Sequence, residues 1–394
     1  MSGGGARGAY EVGVLSFLLD TLPRRLGRPL DLDIFTGTSV GAIHACYAAA
    51  SGATPGAGDR LISIWRSLSV DGVYDLHVPN LVAVPRRLLG LKREVPTEGR
   101  LSGLLDTRPL ERLVREKIPW DELRRRLDTG AIEAVAIAAT EIATGKSVVW
   151  IDRPGTRLHG WSHDPFVIAR STQLQPVHAL ASAAIPFLFP SLAVDGSYFC
   201  DGGLRLNTPL SPALRLGADR LFVVGLRHVP TAEEDAALAS HRVASFPSLT
   251  YLTGKVLNAL LLDHVDYDVD RLALMNAILE TGVRAYGPEF LPRMNETIER
   301  LRGNPYRVVR HVYLQPSRDL GVIAAECVEH RPPGRTLQGW LADVIVRYAV
   351  RGDVVEEDLL SYLYFDRCYA EHLIELGRAD AEARGDEIAA LFSD

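Results

Sequence analysis

The chain has 394 residues, of which 47% are hydrophobic and 23% are charged, the balance expected of a globular protein with a sizeable core. Its formal net charge of -6 provides no basic field for nucleic acid, so we predict no nucleic-acid partner. No apolar run approaches the roughly 18 residues that span a bilayer, and the N-terminus lacks the charged and apolar regions of a signal peptide. We therefore expect a cytoplasmic protein.

The hydrophobic pattern predicts helices and strands that alternate along the chain. Residues 11–22 have the leucine spacing of a helix, and residues 74–105 are irregular and rich in Pro, Leu and Arg. Strands are predicted at 30–36, 131–140, 146–151, 192–200, 219–226 and 307–314. Further helices are predicted after the turn at 37–39, at 108–127, at 177–184, over most of 230–303 and over 335–394. This order predicts an α/β fold with a mostly parallel central sheet flanked by helices, and a helical C-terminal part.

A GxSxG motif lies between the first predicted strand and the helix that follows it. Its fixed positions are Gly37, Ser39 and Gly41. A tight strand-to-helix turn lifts the serine hydroxyl clear of the backbone, and the helix N-terminus supplies unpaired N–H groups. The motif therefore predicts a nucleophilic Ser39. The alternative is a glycine-rich turn in which Ser39 only caps the helix.

A glycine-rich stretch precedes the first predicted helix. It consists of Gly3, Gly4, Gly5, Ala6, Arg7 and Gly8. One interpretation is a loop whose N–H groups bind a tetrahedral oxyanion. A second is a dinucleotide fingerprint, since the glycines fit GxGxxG and Asp31 and Asp33 stand at a suitable distance for the acidic residue. That fingerprint requires a preceding strand and leaves the GxSxG motif unexplained, so we favour the oxyanion loop. A flexible tail is a third alternative.

Asp201 follows a predicted strand and precedes Gly202 and Gly203. A carboxylate at the end of a strand, followed by two glycines, stands in a turn that another loop can approach. By itself this is an ordinary turn. We call the strand-to-helix turn at Ser39 the elbow and the glycine-rich stretch 3–8 the glycine loop. Together with these two features, Asp201 is predicted to be the base for Ser39.

Taken in order, these three elements resemble the patatin-like phospholipases. The segments that carry the resemblance are GGGARGAYEVGVL, GTSVGA, ATEIATGKSVV, ALASAAIPFLFP, YFCDGGLRLNTPL and DLLSYLYFDRCYAEHLIELGRADA, so it spans nearly the whole chain. The resemblance implies that family's three-layer sandwich. It also implies a catalytic domain over 1–325, with its core motifs within 1–226, and a helical extension over 326–394 packed on it.

The resemblance implies a lipid acyl hydrolase that needs no metal or cofactor. Ser39 would be the nucleophile and Asp201 its proton acceptor. The reaction would pass through an acyl-enzyme intermediate. The implied oxyanion hole comprises Gly3, Gly4, Gly5, Arg7 and Gly8, and the accompanying motif glycines are Gly37, Gly41, Gly202 and Gly203. The substrate would be a lipid or another acyl ester, and a peripheral membrane contact is left open. Family members have an apolar strand before the glycine loop. Since only Met1 and Ser2 precede it here, we expect the native protein to begin upstream.

Two further alternatives remain. A Ser-His-Asp hydrolase would need a histidine late in the chain, and His228 fits that order, although such enzymes place several strands before the elbow serine. His44 lies on the apolar helix face after Ser39 and is predicted to be a core histidine. A non-catalytic family member that binds lipid is the other alternative.

Residues 74–95 mix apolar and basic side chains. We hypothesise a lid whose apolar side contacts acyl chains, with an ordinary surface loop as the alternative. Its basic residues, Arg86, Arg87, Lys92 and Arg93, would meet lipid phosphates.

The four cysteines lie far apart in the sequence and form no CxxC pair. They are Cys46, Cys200, Cys327 and Cys368. This spacing predicts neither a zinc site nor a disulfide framework, and it fits a reducing compartment.

Overall fold

The computed structural model describes residues 1–52, 54–76, 100–101, 103, 105–155, 166–233, 265–329 and 357–393. The strands are β1 (Ile34–Thr38), β2 (Asp75–Leu76), β3 (Arg100–Leu101), β4 (Leu105–Asp106), β5 (Ala134–Glu141), β6 (Ser147–Asp152), β7 (Val167–Ser171), β8 (Ser191–Val194), β9 (Ser197–Asp201), β10 (Arg220–Val224) and β11 (Arg310–Leu314). The α-helices are α1 (Gly8–Ser16), α2 (Leu22–Leu26), α3 (Val40–Ser51), α4 (Ala57–Arg66), α5 (Val70–Val73), α6 (Arg108–Lys117), α7 (Trp120–Asp128), α8 (Pro176–Ser182), α9 (Leu210–Leu216), α10 (Val265–Tyr286), α11 (Phe290–Arg302), α12 (Leu320–Glu329), α13 (Glu357–Leu363), α14 (Arg367–Ala383) and α15 (Gly385–Leu391).

A seven-stranded sheet occupies the centre, in the order β3-β8-β9-β5-β6-β7, with β1 also paired to β5. Every residue of β5 is buried, because this strand is covered on both faces. Alternate side chains from Val135 to Ala139 belong to the main core, which includes α3. Those from Ala134 to Ala138 belong to a second apolar cluster that includes Leu216 of α9. Helices therefore flank the sheet on both faces, and the predicted α/β fold is confirmed.

The sheet is mixed rather than mostly parallel. Among its described strand pairs, β1–β5 and β6–β7 are parallel. Four pairs are antiparallel, namely β3–β8, β5–β6, β5–β9 and β8–β9. The reason is local: short turns join β5 to β6 and β8 to β9, and a turn of that length can link only antiparallel neighbours. The single strand predicted at 192–200 is in fact the β8–β9 hairpin, which turns at Asp195 and Gly196.

Several other predicted elements have shifted bounds. The helix predicted at 108–127 is two helices, α6 and α7, because Pro119 separates them. The described parts of 230–303 and 335–394 are largely helical, as predicted. Residues 77–99, which contain all four basic residues of the hypothesised lid, lie outside the described residues. α12 runs across the predicted division at 325/326, and the two-domain division stays a prediction.

The helical C-terminal part packs on the beginning of the chain. α14 lies along α1, and glycines on both helices let the two backbones approach closely. A Cβ on Gly13 would lie 2.2 Å from Ile374 O, and one on Gly377 would lie 2.2 Å from Tyr10 O. Larger residues at either position would push the helices apart.

Cys327 and Cys368 form a disulfide, with Cα atoms 6.0 Å apart. The sequence spacing predicted no disulfide, and for this pair the prediction was wrong. α12 and α14 pack side by side, which brings together two positions 41 residues apart in sequence. Cys46 and Cys200 are buried free thiols.

Met1 and Ser2 lie between β1 and β10. Met1 N donates to Thr36 O at 3.0 Å, and Ser2 Oγ donates to Val224 O at 2.6 Å. The glycine loop thus starts beside the strand that leads to Ser39. None of the described helices combines the length and apolar character needed to cross a bilayer.

Candidate active site

Ser39 stands at a sharp turn between β1 and α3. Its φ of 55° is unusual for a residue with a side chain, and such strain persists only where the surroundings enforce it. The turn is tight because Gly37 and Gly41 touch. A Cβ on Gly37 would lie 2.1 Å from Gly41 O. A Cβ on Gly41 would lie 2.7 Å from Met1 O, so close packing around the serine requires both motif glycines.

The register of β5 brings Ser39 and Asp201 together across 162 positions of sequence. β1 runs parallel to β5 and ends with Thr38 opposite Ala138. β9 runs antiparallel to β5 and ends with Asp201 opposite Ala139. The two strands approach along one edge of β5 from opposite directions. Their last residues therefore lie beside each other.

The two side chains share a short hydrogen bond. Ser39 Oγ donates to Asp201 Oδ2 at 2.6 Å, and the side chains are buried, with only 4% and 1% exposure. Gly203 N donates to Asp201 Oδ1 at 2.7 Å. Burial raises the pKa of Asp201 to about 6, and the hydrogen bonds from Ser39 and Gly203 oppose that rise. Such a carboxylate is ionised at neutral pH and accepts a proton more readily than a free aspartate does.

Ser182, at the end of α8, holds the elbow and was not predicted from the sequence. Ser39 N donates to Ser182 Oγ at 2.9 Å, and Ser182 Oγ donates to Ala138 O at 2.6 Å. The side chain is fully buried. It therefore links the strained turn to the central strand. A serine in the final turn of a helix carries no chemical signal by which it could have been found.

The glycine loop faces the elbow. A Cβ on Gly3 would lie 2.9 Å from the Cβ of Ser39. Gly3 N is occupied, since it donates to Asn207 Oδ1 at 3.0 Å and to Asn207 O at 3.3 Å. Gly8 N also donates within the chain. For Gly4 N and Gly5 N, the described residues offer no hydrogen-bond acceptor. These two N–H groups are therefore available to a bound ligand.

Arg7 contacts the helical C-terminal part of the chain, and its implied place in the oxyanion hole stays a prediction. It is 4% exposed, and its Nε donates to Ser361 Oγ at 2.7 Å. The guanidinium carbon lies 4.4 Å from the centre of the Tyr362 ring. Both partners belong to α13, far away in sequence. No local pattern around Arg7 indicates them.

A buried pair lies beneath the loop. Glu11 Oε2 contacts His44 Nδ1 at 2.8 Å, and Glu11 Oε1 accepts a hydrogen bond from Ser2 N at 2.6 Å. Glu11 and His44 are 0% and 1% exposed. His44 is thus in the core, as predicted, although its Nε2 has no partner among the described residues.

A small apolar cavity adjoins Ser39 and Gly5. Its other walls come from α3, α4 and the turn after it, α5, α6, the turn after α8 and the segment after α13. They are formed by Val40, Ile43, Ile64, Trp65, Leu68, Val73, Leu110, Leu113, Ala183, Ile185, Phe189 and Phe365. Such a lining suits a hydrocarbon chain held beside the serine.

The direct bond between Ser39 and Asp201 bears on the histidine alternative. His228 Nδ1 contacts Pro316 O at 3.0 Å, and Asp201 reaches the serine without an intervening ring. One group among the described residues has the make-up of a metal site: Cys327, Cys368 and His372. Its two sulfurs are joined in the disulfide.

A serine on a strand-to-helix turn, bonded to a buried carboxylate and faced by a glycine loop, is typical of serine acyl hydrolases. Residues 1–214 match the family described as patatin-like phospholipase, and the chain belongs to that family of lipid hydrolases. Among solved structures, the chain is similar to VipD from Legionella pneumophila, with 12% identity, a TM-score of 0.28, and coverage of 96% of this chain and 66% of that chain. It is also similar to the type III effector protein ExoU, with 15% identity, a TM-score of 0.27, and coverage of 98% and 78%. No curated protein matches the chain significantly.

Proposed function

We propose that the protein is a serine acyl hydrolase that cleaves acyl esters of lipids through Ser39 and Asp201. The observation that carries the proposal is the short hydrogen bond between a strained, buried serine and a buried carboxylate whose pKa is raised to about 6. The apolar cavity beside Ser39 supports a substrate with an acyl chain. Family membership supports lipid as the substrate class.

In the acylation half, Asp201 Oδ2 takes the proton of Ser39 Oγ as the oxygen attacks the ester carbonyl carbon. The carbonyl π electrons move onto the oxygen, and the N–H groups of Gly4 and Gly5 meet the negative charge. Removal of one such donor costs roughly 2.7–4 kcal/mol in other hydrolases. The carbon–oxygen bond to the alcohol then breaks, and Asp201 returns the proton to the departing alcohol.

In the deacylation half, water replaces the alcohol. Asp201 takes a proton from this water, whose oxygen attacks the acyl-enzyme carbonyl. The second tetrahedral intermediate collapses, the fatty acid leaves, and Ser39 Oγ regains its proton from Asp201. The same base and the same two N–H donors serve both halves.

A fluorophosphonate probe and a chromogenic acyl ester test the proposal. We expect wild type to hydrolyse the ester and to be labelled at Ser39, and Ser39→Ala to lose both properties. His228→Gln should retain both, because the proposed base is Asp201. A wild type that neither turns over the ester nor reacts with the probe would favour a lipid-binding protein without catalysis.

We also propose that the enzyme meets the lipid surface at the turn that carries Phe187. Phe189 N donates to Ile185 O at 2.9 Å, and both residues line the cavity beside Ser39. Between them, Phe187 is 87% exposed and adopts a φ of 67°, which is costly for a bulky residue. Contact with hydrocarbon would bury this ring.

The test compares two substrates. Phe187→Ser should lower turnover of phospholipid vesicles roughly tenfold, because burial of such a ring contributes about 1.5 kcal/mol or more. Turnover of a short, water-soluble ester should not change. Tyr267→Ser removes another exposed aromatic ring, on α10, and is the matched control. Equal losses on both substrates would refute this surface contact.

A further inference from the structure

We propose that the segment Ser361–Phe365, in the helical C-terminal part, positions the glycine loop that receives the oxyanion. The proposal rests on the proposed function, because the loop has a catalytic purpose only if Ser39 attacks an acyl ester. The segment lies outside residues 1–214, which match the family. It nevertheless contacts the loop at two points.

The first contact is through the side chain of Arg7. Arg7 ends the 3-10 turn that begins at Gly5, and its backbone N–H donates to Gly4 O at 3.1 Å. Ser361 accepts its Nε–H at 2.7 Å, and the Tyr362 ring lies under its guanidinium. A buried guanidinium is costly unless its N–H groups are bonded, so these contacts hold the side chain in one place. Ser361 and Tyr362 are both 0% exposed.

The second contact is between backbones. Gly5 has a φ of 57°, which glycine adopts without strain, and its Cα faces the carbonyl of Tyr362. A Cβ at Gly5 would lie 2.3 Å from Tyr362 O. The loop therefore rests directly on the C-terminal segment at the residue whose N–H group is proposed to bind the oxyanion.

The segment is itself fixed in place. Tyr74 OH donates to Leu363 O at 2.8 Å, and Asp366 caps the start of α14. α14 then packs closely along α1, the helix that follows the glycine loop. Phe365 reaches the cavity beside Ser39. The glycine loop is thus held between α1 on one side and the segment on the other.

This arrangement predicts a particular kinetic defect. The oxyanion develops in the transition states and tetrahedral intermediates and not in the bound ester, so donors aimed at it affect kcat and not the binding of substrate. Misplacement of a reacting group by about 1 Å costs about 100-fold in rate. Ser361 and Tyr362 act through Arg7 and Gly5, which makes them positioning residues.

The experiment measures kcat and KM for a water-soluble ester in wild type, Ser361→Ala, Tyr362→Leu and Tyr362→Phe. The concentration of active sites is first titrated with a fluorophosphonate carried to completion, so that misfolded protein does not count. We expect kcat per titrated site to fall about 10-fold in Ser361→Ala and about 100-fold in Tyr362→Leu, with KM nearly unchanged. Tyr362→Phe keeps the ring beneath Arg7 and should restore most of kcat. Ser393→Ala removes an exposed hydroxyl of the same C-terminal part and should match wild type.

Unchanged kcat per titrated site in Ser361→Ala would overturn the proposal, as would a loss confined to KM. Ser361→Ala removes a single oxygen and decides the question if Tyr362→Leu does not fold. Failure of the proposed function has a separate signature, because wild type itself would then show neither hydrolysis nor labelling at Ser39.

Discussion

Two loops face Ser39, and they are held in different ways. The turn at Asp201 is held by backbone hydrogen bonds: β9 pairs with β5, and Asp201 N donates to Ala184 O at 2.8 Å. The glycine loop is held mostly by side chains from distant parts of the chain. Asn207 bonds Gly3, and Ser361 bonds Arg7 across 354 positions of sequence. Hydrogen bonds between strand backbones form with almost any side chains, whereas the second kind of support depends on particular residues.

The difference separates the proposed base from the proposed oxyanion donors. A substitution of Asp201 would remove the proposed proton acceptor and leave the glycine loop in place. A substitution on the glycine-loop side would leave the proposed acceptor in place and misalign the N–H donors. Variants on the two sides should therefore differ in size of effect, in pH dependence and in stability.

The largest effect is expected on the Asp201 side. Asp201→Asn keeps a side chain of the same shape but cannot accept the serine proton, so kcat/KM should fall by about 10²–10⁴-fold. Asp195→Asn is the matched control, because it makes the same change at the exposed turn of the same hairpin. Ester hydrolysis by the two variants is the measurement. Comparable activity in Asp201→Asn and wild type would remove Asp201 from the proposed mechanism.

The same contrast decides what the sequence could predict. Ser39 and Asp201 were predicted because each stands at the end of a strand with glycines beside it, a pattern that local geometry requires. Ser182, Asn207 and Ser361 carry no such pattern, since a polar residue that bonds a backbone group far away in sequence resembles any other polar residue. The pairing of Cys327 with Cys368 was missed for a related reason, because it depends on how two helices pack.

The next effect concerns the stability of the glycine-loop side. The disulfide joins α12 to α14, the helix that packs along α1. Reduction should lower the free energy of unfolding by about 2–4 kcal/mol, because the unfolded chain then gains freedom. Urea titration with and without dithiothreitol measures this change. A Cys327→Ser, Cys368→Ser double variant, which keeps the free Cys46 and Cys200, should not respond to the reductant. A wild type whose urea midpoint ignores the reductant would contradict the prediction.

A smaller effect is expected where the sheet supports the elbow. Ser182→Ala leaves Ser39 N and Ala138 O buried without their bridge, which costs about 1–3 kcal/mol of stability. Thermal or urea unfolding measures the loss. Ser63→Ala removes an exposed hydroxyl from α4 and should be close to neutral. If Ser182→Ala were as stable as Ser63→Ala, water would have to replace the missing hydroxyl.

The smallest expected effect is a difference between the two loops in how they influence the pH profile of kcat/KM. Only ionised Asp201 can accept the serine proton, and its pKa is raised to about 6, so activity is lost as pH falls through that value. Below pH 6, kcat/KM should drop about tenfold per pH unit, and this profile reports the pKa of the free enzyme. N–H groups of the glycine loop do not titrate in this range. Ser361→Ala should therefore lower the plateau of the profile and keep its midpoint. A midpoint near pH 4 in wild type would mean that burial does not raise the pKa of the base. A midpoint that moves in Ser361→Ala would mean that the two loops are not independent.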